Sequence, residues 1–114
     1  MARISTHVLD TSRGQPAAGM GVRLYALEGE IRRLLAAAVT NADGRSGEPL
    51  GDRVLLEPGI YELAFAVGDY FNLACQQPPF LGEVTIRFGV SDPHGSYHVP
   101  LLVSPYAYST YRGS

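Results

Sequence analysis

Three histidines are the residues of this chain best suited to proton transfer near neutral pH, because imidazole titrates in that range without any perturbation. His98 alternates along the chain with the apolar residues Val99, Leu101 and Val103. If those apolar side chains point into a core, the strand period of two places His98 on the opposite, outer face. There it is either a solvated surface histidine or a general acid or base, and the pattern leaves both interpretations open.

The other two histidines give weaker signals. His7 lies in a strand-like segment, residues 4–11, whose two faces both carry apolar residues; a sheet histidine is the ordinary interpretation and a catalyst the alternative. His94 lies in a turn sequence, residues 92–95, and we expect it to be exposed and structural. The three histidines lack the spacing of a familiar metal motif, so we predict no metal site.

An arginine in a loop is the second candidate for chemistry. Arg45 follows the turn-forming residues 41–44, and loop tips often carry side chains that hold a ligand. A guanidinium offers forked donors to a carbonyl group or to a developing oxyanion. The alternative is a solvated loop arginine, which the sequence pattern does not exclude.

The last four residues continue a strand pattern up to the terminal carboxylate. They are Tyr111, Arg112, Gly113 and Ser114. An ordinary terminus frays, so these residues are either a disordered tail or a positioned part of a site. The remaining chemistry is sparse: the single cysteine, Cys75, cannot form an intrachain disulfide, and Glu62 and Glu83 fall on outward strand positions as solvated charges.

Composition excludes several classes of protein. The net charge of −2, with scattered arginines, gives no nucleic-acid-binding face and no polybasic membrane anchor. The apolar stretches are far shorter than the ~20 residues of a membrane span. The first residues lack the basic head and apolar run of a signal peptide, so we expect a cytoplasmic protein.

Alternation with a period of two dominates the chain and predicts strands. The predicted strands cover residues 4–11, 22–26, 31–40, 53–56, 61–67, 84–90, 97–103 and 106–112. Residues 13–16 are expected to form a turn, residues 28–30 a tight reversal, and residues 34–38 are helical by propensity as an alternative. One short helix is possible within residues 69–77, ending before Pro78 and Pro79.

These elements predict an all-β fold: a two-sheet sandwich of about eight strands with one short helix, in a single domain spanning residues 1–114. Pro100 cannot donate a ladder hydrogen bond, so its strand must be open or at an edge there. The last predicted strand carries Tyr106, Tyr108 and Tyr111 and ends at the chain terminus. An edge strand with exposed aromatic side chains predicts a homo-oligomer.

Four segments, in the same order along the chain, resemble the transthyretin-like 5-hydroxyisourate hydrolases. The opening strand (residues 4–11), the arginine-bearing loop (40–45), the histidine strand (97–102) and the C-terminal residues (104–106 and 108–114) carry the resemblance. The final tetrapeptide, 111–114, is the most specific of these matches. Residues 72–82, which include Cys75, depart from the family pattern and leave the length of the helix open.

The resemblance implies a transthyretin-like sandwich, paired edge to edge into dimers and stacked into a homotetramer with sites in the channel between dimers. It implies hydrolysis of 5-hydroxyisourate to 2-oxo-4-hydroxy-4-carboxy-5-ureidoimidazoline in urate catabolism, without metal or cofactor. The catalytic residues implied are His7, Arg45, His98 and Ser114, with substrate-binding Tyr111, Arg112 and Gly113. A non-catalytic carrier of small ligands in the same channel is the alternative.

Overall fold

Strand segments make up nearly all the regular structure in residues 2–47, 50 and 56–113, which are the residues that the computed structural model describes. Most of them follow the predicted alternation of apolar and polar residues. In chain order they are β1 (Arg3–Ser5), β2 (Val8–Asp10), β3 (Gln15–Pro16), β4 (Gly21–Glu28), β5 (Ile31–Val39), β6 (Gly59–Ala66), α1 (Val67–Phe71), β7 (Glu83–Val90), β8 (Ser96–His98), β9 (Leu101–Val103) and β10 (Tyr108–Thr110).

The long strands form one antiparallel sheet in the order β5-β4-β6-β7. The predicted reversal between its first two strands is confirmed: Glu28 pairs with Ile31, and the intervening Gly29 has φ of 65°. A positive φ is a conformation that glycine adopts without steric cost. Residues 31–39 are therefore a strand, and the helical alternative for residues 34–38 is wrong because cross-strand pairing overrides local propensity.

The second face of the sandwich is built from shorter strands in two ladders, β1-β8 and β10-β9-β2-β3. Ser5 pairs with His98 in the first ladder and Val8 pairs with Leu101 in the second, both in parallel. The two ladders therefore share one register, interrupted by two residues on each chain segment. The predicted strands over residues 4–11 and 97–103 are each divided in two by this interruption.

Pro100 lies at the interruption, as expected for a residue without a backbone N–H. The Val99 N–H donates to the Ser5 carbonyl (2.9 Å), and the Leu101 N–H donates to the His7 carbonyl (2.9 Å). The Val99 carbonyl accepts from the buried Thr6 hydroxyl at 2.7 Å. Two backbone hydrogen bonds and one side-chain hydrogen bond therefore hold the interruption together.

The core lies between the two faces and is apolar. Its largest fully buried side chains include Phe65, Leu63 and Leu24 from the long-stranded sheet, and Ile4 and Leu101 from the opposite face. Val99, Leu101 and Val103 are all buried, so the predicted inward set of the histidine strand is confirmed. The alternation then directs His98, which is half-buried, away from this core.

The helix differs from its prediction in both bounds. It spans Val67–Phe71 and not residues 69–77, and it ends at Asn72, well before Pro78. Asn72 has φ of 45°, and its N–H donates to the Gly68 carbonyl at 2.9 Å. Asparagine tolerates this left-handed conformation and stops the helix there, so the two prolines are not what ends it.

Glu62 is a second correction, because it is buried rather than solvated. Its position on β6 faces outward, yet only 5% of the residue is exposed. Arg87, its register partner on β7, donates to the carboxylate at 2.9 Å, and the Arg32 guanidinium lies 3.4 Å from it. Arg87 from the neighbouring strand β7 and Arg32 from β5, on the far side of β4, therefore cover this carboxylate. Glu83 is exposed, as predicted.

Two smaller differences concern the last strand and residues 15–16. The last strand spans Tyr108–Thr110 instead of residues 106–112, because continued pairing would place Tyr111 opposite Pro100. Gln15 and Pro16, predicted as a turn, form the short β3 against β2. The strand predicted over residues 53–56 lies almost entirely outside the described residues. Within those described, no helix is long and apolar enough to cross a membrane.

Candidate active site

His98 ends β8 beside the interruption at Pro100, with its imidazole held on one side by a hydroxyl. Ser5 is its register partner on β1, and the Ser5 Oγ lies 2.9 Å from the His98 Nδ1. Both residues are half-buried. The parallel pairing of β1 and β8 fixes the positions of the two residues, and this places the serine hydroxyl beside the ring.

The electrostatic surroundings of His98 favour the neutral imidazole. Burial, and then the positive charges of Arg45 and His7, lower the pKa of His98 from its ordinary value of 6.5. Burial acts because it removes water from the charged form, and the two cations act by repulsion. A neutral imidazole at pH 7 has a lone pair available, which is the form that a general base requires.

The loop before Arg45 is held by Asn41. The Asn41 side-chain oxygen accepts from the Asp43 and Arg45 N–H groups at 2.9 and 3.2 Å, and the Asn41 N–H donates to the Arg45 carbonyl at 2.8 Å. Gly44 has φ of 75°, and a Cβ there would lie 2.4 Å from the Val8 carbonyl oxygen. Only glycine fits this close approach. Gly44 therefore holds the loop against Val8 and positions the backbone of the exposed Arg45 that follows it.

His7 lies in the interruption between β1 and β2, where it pairs with Arg45. The two residues form an isolated antiparallel bridge, and the Val8 N–H donates to the Gly44 carbonyl at 2.8 Å. His7 is half-buried. His7 in this interruption, His98 at the end of β8 and the loop residue Arg45 therefore lie near one another beside Pro100.

The C-terminal segment packs directly on His98. The Gly113 N–H donates to the His98 carbonyl at 2.8 Å, and the two residues form a bridge in the register of β9 and β10. A Cβ on Gly113 would lie 2.5 Å from the His98 Cδ2. The tail is thus a positioned part of the structure up to Gly113, and backbone without a side chain lies against the imidazole.

Tyr111 and Arg112 are not brought to the histidine pair. The Arg112 guanidinium carbon lies 4.5 Å from the centre of the Tyr97 ring, and Tyr97 faces the core, opposite to His98 along β8. Tyr111 is 60% exposed. Both line a cleft of about 270 Å³ shared with the edge of β7, whose other walls include Ile86, Phe88, Tyr97 and Val99. Ser114 lies outside the described residues.

Ser5 was not among the residues predicted from the sequence to belong to the site. Nothing in a local pattern distinguishes its hydroxyl from that of an ordinary strand serine, because its partner is far away along the chain. The remaining histidine, His94, lies in a turn and is exposed. Its backbone N–H donates to the Asp92 carboxylate at 2.9 Å. Among the residues described, no three His, Cys, Asp or Glu side chains are grouped closely enough to hold a metal ion.

The chain is similar to known proteins over nearly its whole length. A protein of Deinococcus radiodurans called 5-hydroxyisourate hydrolase is 54% identical over 113 residues, 97% of this chain and 95% of that protein. The solved structure of Klebsiella pneumoniae 5-hydroxyisourate hydrolase matches with a TM-score of 0.84 at 37% identity, covering 100% of both chains. The structure of an (S)-allantoin synthase matches at 42% identity with a TM-score of 0.86, and there this chain spans only 44% of the other.

The family assignment follows from the extent of the match. The sequence model of the HIUase/Transthyretin family matches residues 4–113, which is nearly the whole chain, and the transthyretin-like fold predicted from the sequence is confirmed. The chain belongs to the HIUase/Transthyretin family.

Proposed function

We propose that this protein is a 5-hydroxyisourate hydrolase, an enzyme of urate breakdown that forms 2-oxo-4-hydroxy-4-carboxy-5-ureidoimidazoline. The observation that carries the proposal is the meeting of His7, Arg45, His98 and Gly113 at one break in the sheet. Relatives that carry this enzyme's name over the full length of the chain support the choice of substrate. A carrier of small ligands would have no need of an imidazole kept neutral beside a guanidinium.

The reaction needs an activated water, a place for negative charge and a proton for the leaving nitrogen. Neutral His98 takes a proton from water as the water oxygen bonds to the lactam carbonyl carbon. Arg45 stabilises the negative charge that develops on the carbonyl oxygen. The C–N bond then breaks, and the protonated His98 returns the proton to the nitrogen, with His7 beside it as a second proton carrier. No metal or cofactor takes part in these steps.

The tail completes the proposed site. Gly113 limits the space beside the His98 ring, and Tyr111, Arg112 and Ser114 are proposed to close the pocket over the substrate. Within one chain the Arg112 guanidinium packs on Tyr97, so its contact with substrate requires either movement of that side chain or the tail of a second chain. We therefore propose a homotetramer, a dimer of dimers with sites in the channel between dimers.

Two further parts of the proposal concern assembly and compartment. The edge strand β10 carries the exposed Tyr108, and the edge strand β7 contributes the partly buried Ile86 and Phe88 to a cleft that it shares with the end of β10, which supports pairing between copies of the chain. A cytoplasmic location is also part of the proposal. Fractionation of cells that express the tagged protein tests that location.

The decay of freshly prepared 5-hydroxyisourate, followed by ultraviolet absorbance with and without the protein, tests the proposed function. His98→Asn is expected to lower the catalysed rate by about 10² or more, because it removes the proton carrier. The matched control is His94→Asn, the same change at an exposed turn histidine, which is expected to leave the rate unchanged. Wild-type protein that does not accelerate the decay would exclude the proposal.

A further inference from the structure

The hydroxyl of Ser5 is the one side-chain contact that the structure gives to a ring nitrogen of His98 within the described residues. The Oγ to Nδ1 distance of 2.9 Å is that of a good hydrogen bond. The two residues face each other across the parallel pair of β1 and β8. The pairing of β1 and β8 therefore holds both residues in place, and the contact does not depend on a long, flexible side chain.

This contact has a chemical consequence, because the two ring nitrogens of histidine are distinct. A neutral imidazole carries one N–H, and the partner of one nitrogen sets the state of the other. When the Nδ1–H donates to the Ser5 Oγ, the lone pair lies on Nε2. When the ring becomes protonated, both nitrogens carry hydrogen, and the serine oxygen still accepts from Nδ1. One serine thus suits both protonation states of a proton carrier.

Gly113 restricts the other side of the same ring. A Cβ at this glycine would lie 2.5 Å from the His98 Cδ2, so the tail backbone already packs closely against that edge. Rotating the ring by half a turn would exchange Nδ1 with Cδ2 and lose the serine hydrogen bond. Ser5 and Gly113 together therefore select one ring orientation, and Nε2 is the nitrogen left for the reaction.

We propose that Ser5 is a positioning residue that holds His98 through Nδ1, so that Nε2 is the nitrogen that exchanges the proton with water. The inference deepens the proposed hydrolase function and rests on it for its kinetic part. Ser5 itself touches neither the water nor the substrate. It acts only through the orientation and tautomer of the His98 ring.

The kinetic test compares three variants in the 5-hydroxyisourate decay assay. Ser5→Ala is expected to lower kcat by about tenfold, the factor that one hydrogen bond to a charged group is worth, with little change in KM. Ser5→Thr keeps the hydroxyl on a strand residue and is expected to retain most of the wild-type kcat. Ser96→Ala, the same truncation at an exposed residue of β8, is the control and is expected to match wild type.

Nitrogen-15 NMR of the imidazole rings tests the tautomer without any substrate. In wild-type protein above the pKa of His98, Nδ1 is expected to carry the hydrogen and Nε2 the lone pair. Ser5→Ala is expected to shift the ring toward the Nε2–H form, and Ser5→Thr to restore the wild-type spectrum. A wild-type His98 found as the Nε2–H tautomer overturns the inference, even if Ser5→Ala fails to fold.

The two measurements also separate this inference from the proposed function. Wild-type protein that hydrolyses the substrate, with Ser5→Ala equal to it in kcat and in tautomer, overturns the role of Ser5 alone. Wild-type protein that does not hydrolyse the substrate overturns the proposed function, while the NMR spectra still decide whether Ser5 sets the ring. A loss of kcat in Ser5→Ala that Ser5→Thr does not restore would also contradict the inference.

Discussion

The charges of neighbouring residues affect the pH range in which His98 is neutral and can act as a base. Its pKa is lowered first by burial and then by Arg45 and His7, so the neutral ring persists as the pH falls below 6.5. Arg45→Gln removes one repelling charge and is expected to raise the pKa of His98. The acid limb in the pH profile of kcat/KM, which reports pKa values of the free enzyme, is then expected to move to higher pH. The plateau of kcat/KM is also expected to fall, because Arg45 is proposed to stabilise the developing negative charge.

The measurement for Arg45 is the pH dependence of kcat/KM between pH 5 and 8, the range in which imidazole titrates. Arg23→Gln removes an arginine from the exposed side of β4 and serves as the control with an unchanged limb. An acid limb that stays in place, or moves to lower pH, in Arg45→Gln would contradict the electrostatic role given to this residue.

Gly113 tests how closely the tail must pack on the ring. Gly113→Ala places a methyl group 2.5 Å from the His98 Cδ2, so either the ring or the tail must move. Misplacement of a catalytic group by about 1 Å costs up to roughly 10² in rate, and we expect a loss of at least about tenfold in the decay assay. Gly82→Ala, where the methyl group meets no atom within 4 Å, is the control. Full activity in Gly113→Ala would show that the tail does not shape the site.

For a single residue, the sequence pattern predicts which face of a strand the side chain lies on, but not which other residues it contacts. The outward position of His98 follows from alternation with Val99, and that expectation is confirmed. Its partner Ser5 could not be predicted, because the register of two parallel strands depends on the whole fold. Glu62 shows the same limit: its outward direction was right, but the two covering arginines make it buried.

At the scale of elements, the helix is tied to the short-stranded face by one carboxylate. Asp10 on β2 is 1% exposed and accepts hydrogen bonds from the Ser12 N–H (3.0 Å), the Ser12 hydroxyl (2.6 Å) and the Tyr70 hydroxyl (2.9 Å). Burial raises the pKa of Asp10, but these hydrogen bonds outweigh it and lower the pKa below 3.8. The ionised carboxylate is therefore the form that the fold stabilises.

The sign of the pH effect follows. The Asp10 contribution to stability is fully present above pH 3.8, the value of the unfolded chain, and is lost as the pH falls through the lower pKa of the folded protein. Asp10→Asn is expected to unfold more easily at pH 7 by about 1–3 kcal/mol and to lose less stability on acidification. Urea unfolding at pH 7 and pH 3 measures both effects. Asp69→Asn, an exposed carboxylate on α1, is the control, and equal losses in the two variants would contradict this role.

The elements themselves were partly predictable. Regular alternation predicted β4, β6 and β7 to within a few residues, because each has one face in the core. The gap at Pro100 was also predictable, since proline removes a donor. The matching gap at Thr6 and His7 was not, because it arises where the Thr6 hydroxyl takes over the Val99 carbonyl. His7 pairs with Arg45 within that second gap, so the candidate site depends on contacts between segments far apart along the chain.

At the scale of the whole molecule, the sheet edges formed by β7 and β10 lie close together, whereas the edge formed by β5 is protected against pairing with another chain. The outer edge of β7 and the segment after β10 flank one cleft, and Tyr108 on β10 is 47% exposed. The edge strand β5 also exposes apolar residues, yet it carries two consecutive arginines and a register shift opposite β4, features that discourage edge pairing. Association is therefore expected through β7 and β10 and not through β5.

Light scattering during size-exclusion chromatography measures this association. The wild-type mass is expected to be four times the 12.3 kDa of one chain. Tyr108→Lys puts a charge on the β10 edge and is expected to lower the mass, and the hydrolysis rate is expected to fall with it, because a site completed by a second chain is lost when chains separate. Ile31→Lys makes an equivalent change at an exposed residue of β5 and is expected to leave mass and rate unchanged.

A wild-type mass of one chain, measured at the concentration at which the protein is fully active, would mean that each chain carries a complete site. The Arg112 guanidinium would then have to leave the Tyr97 ring to reach the substrate.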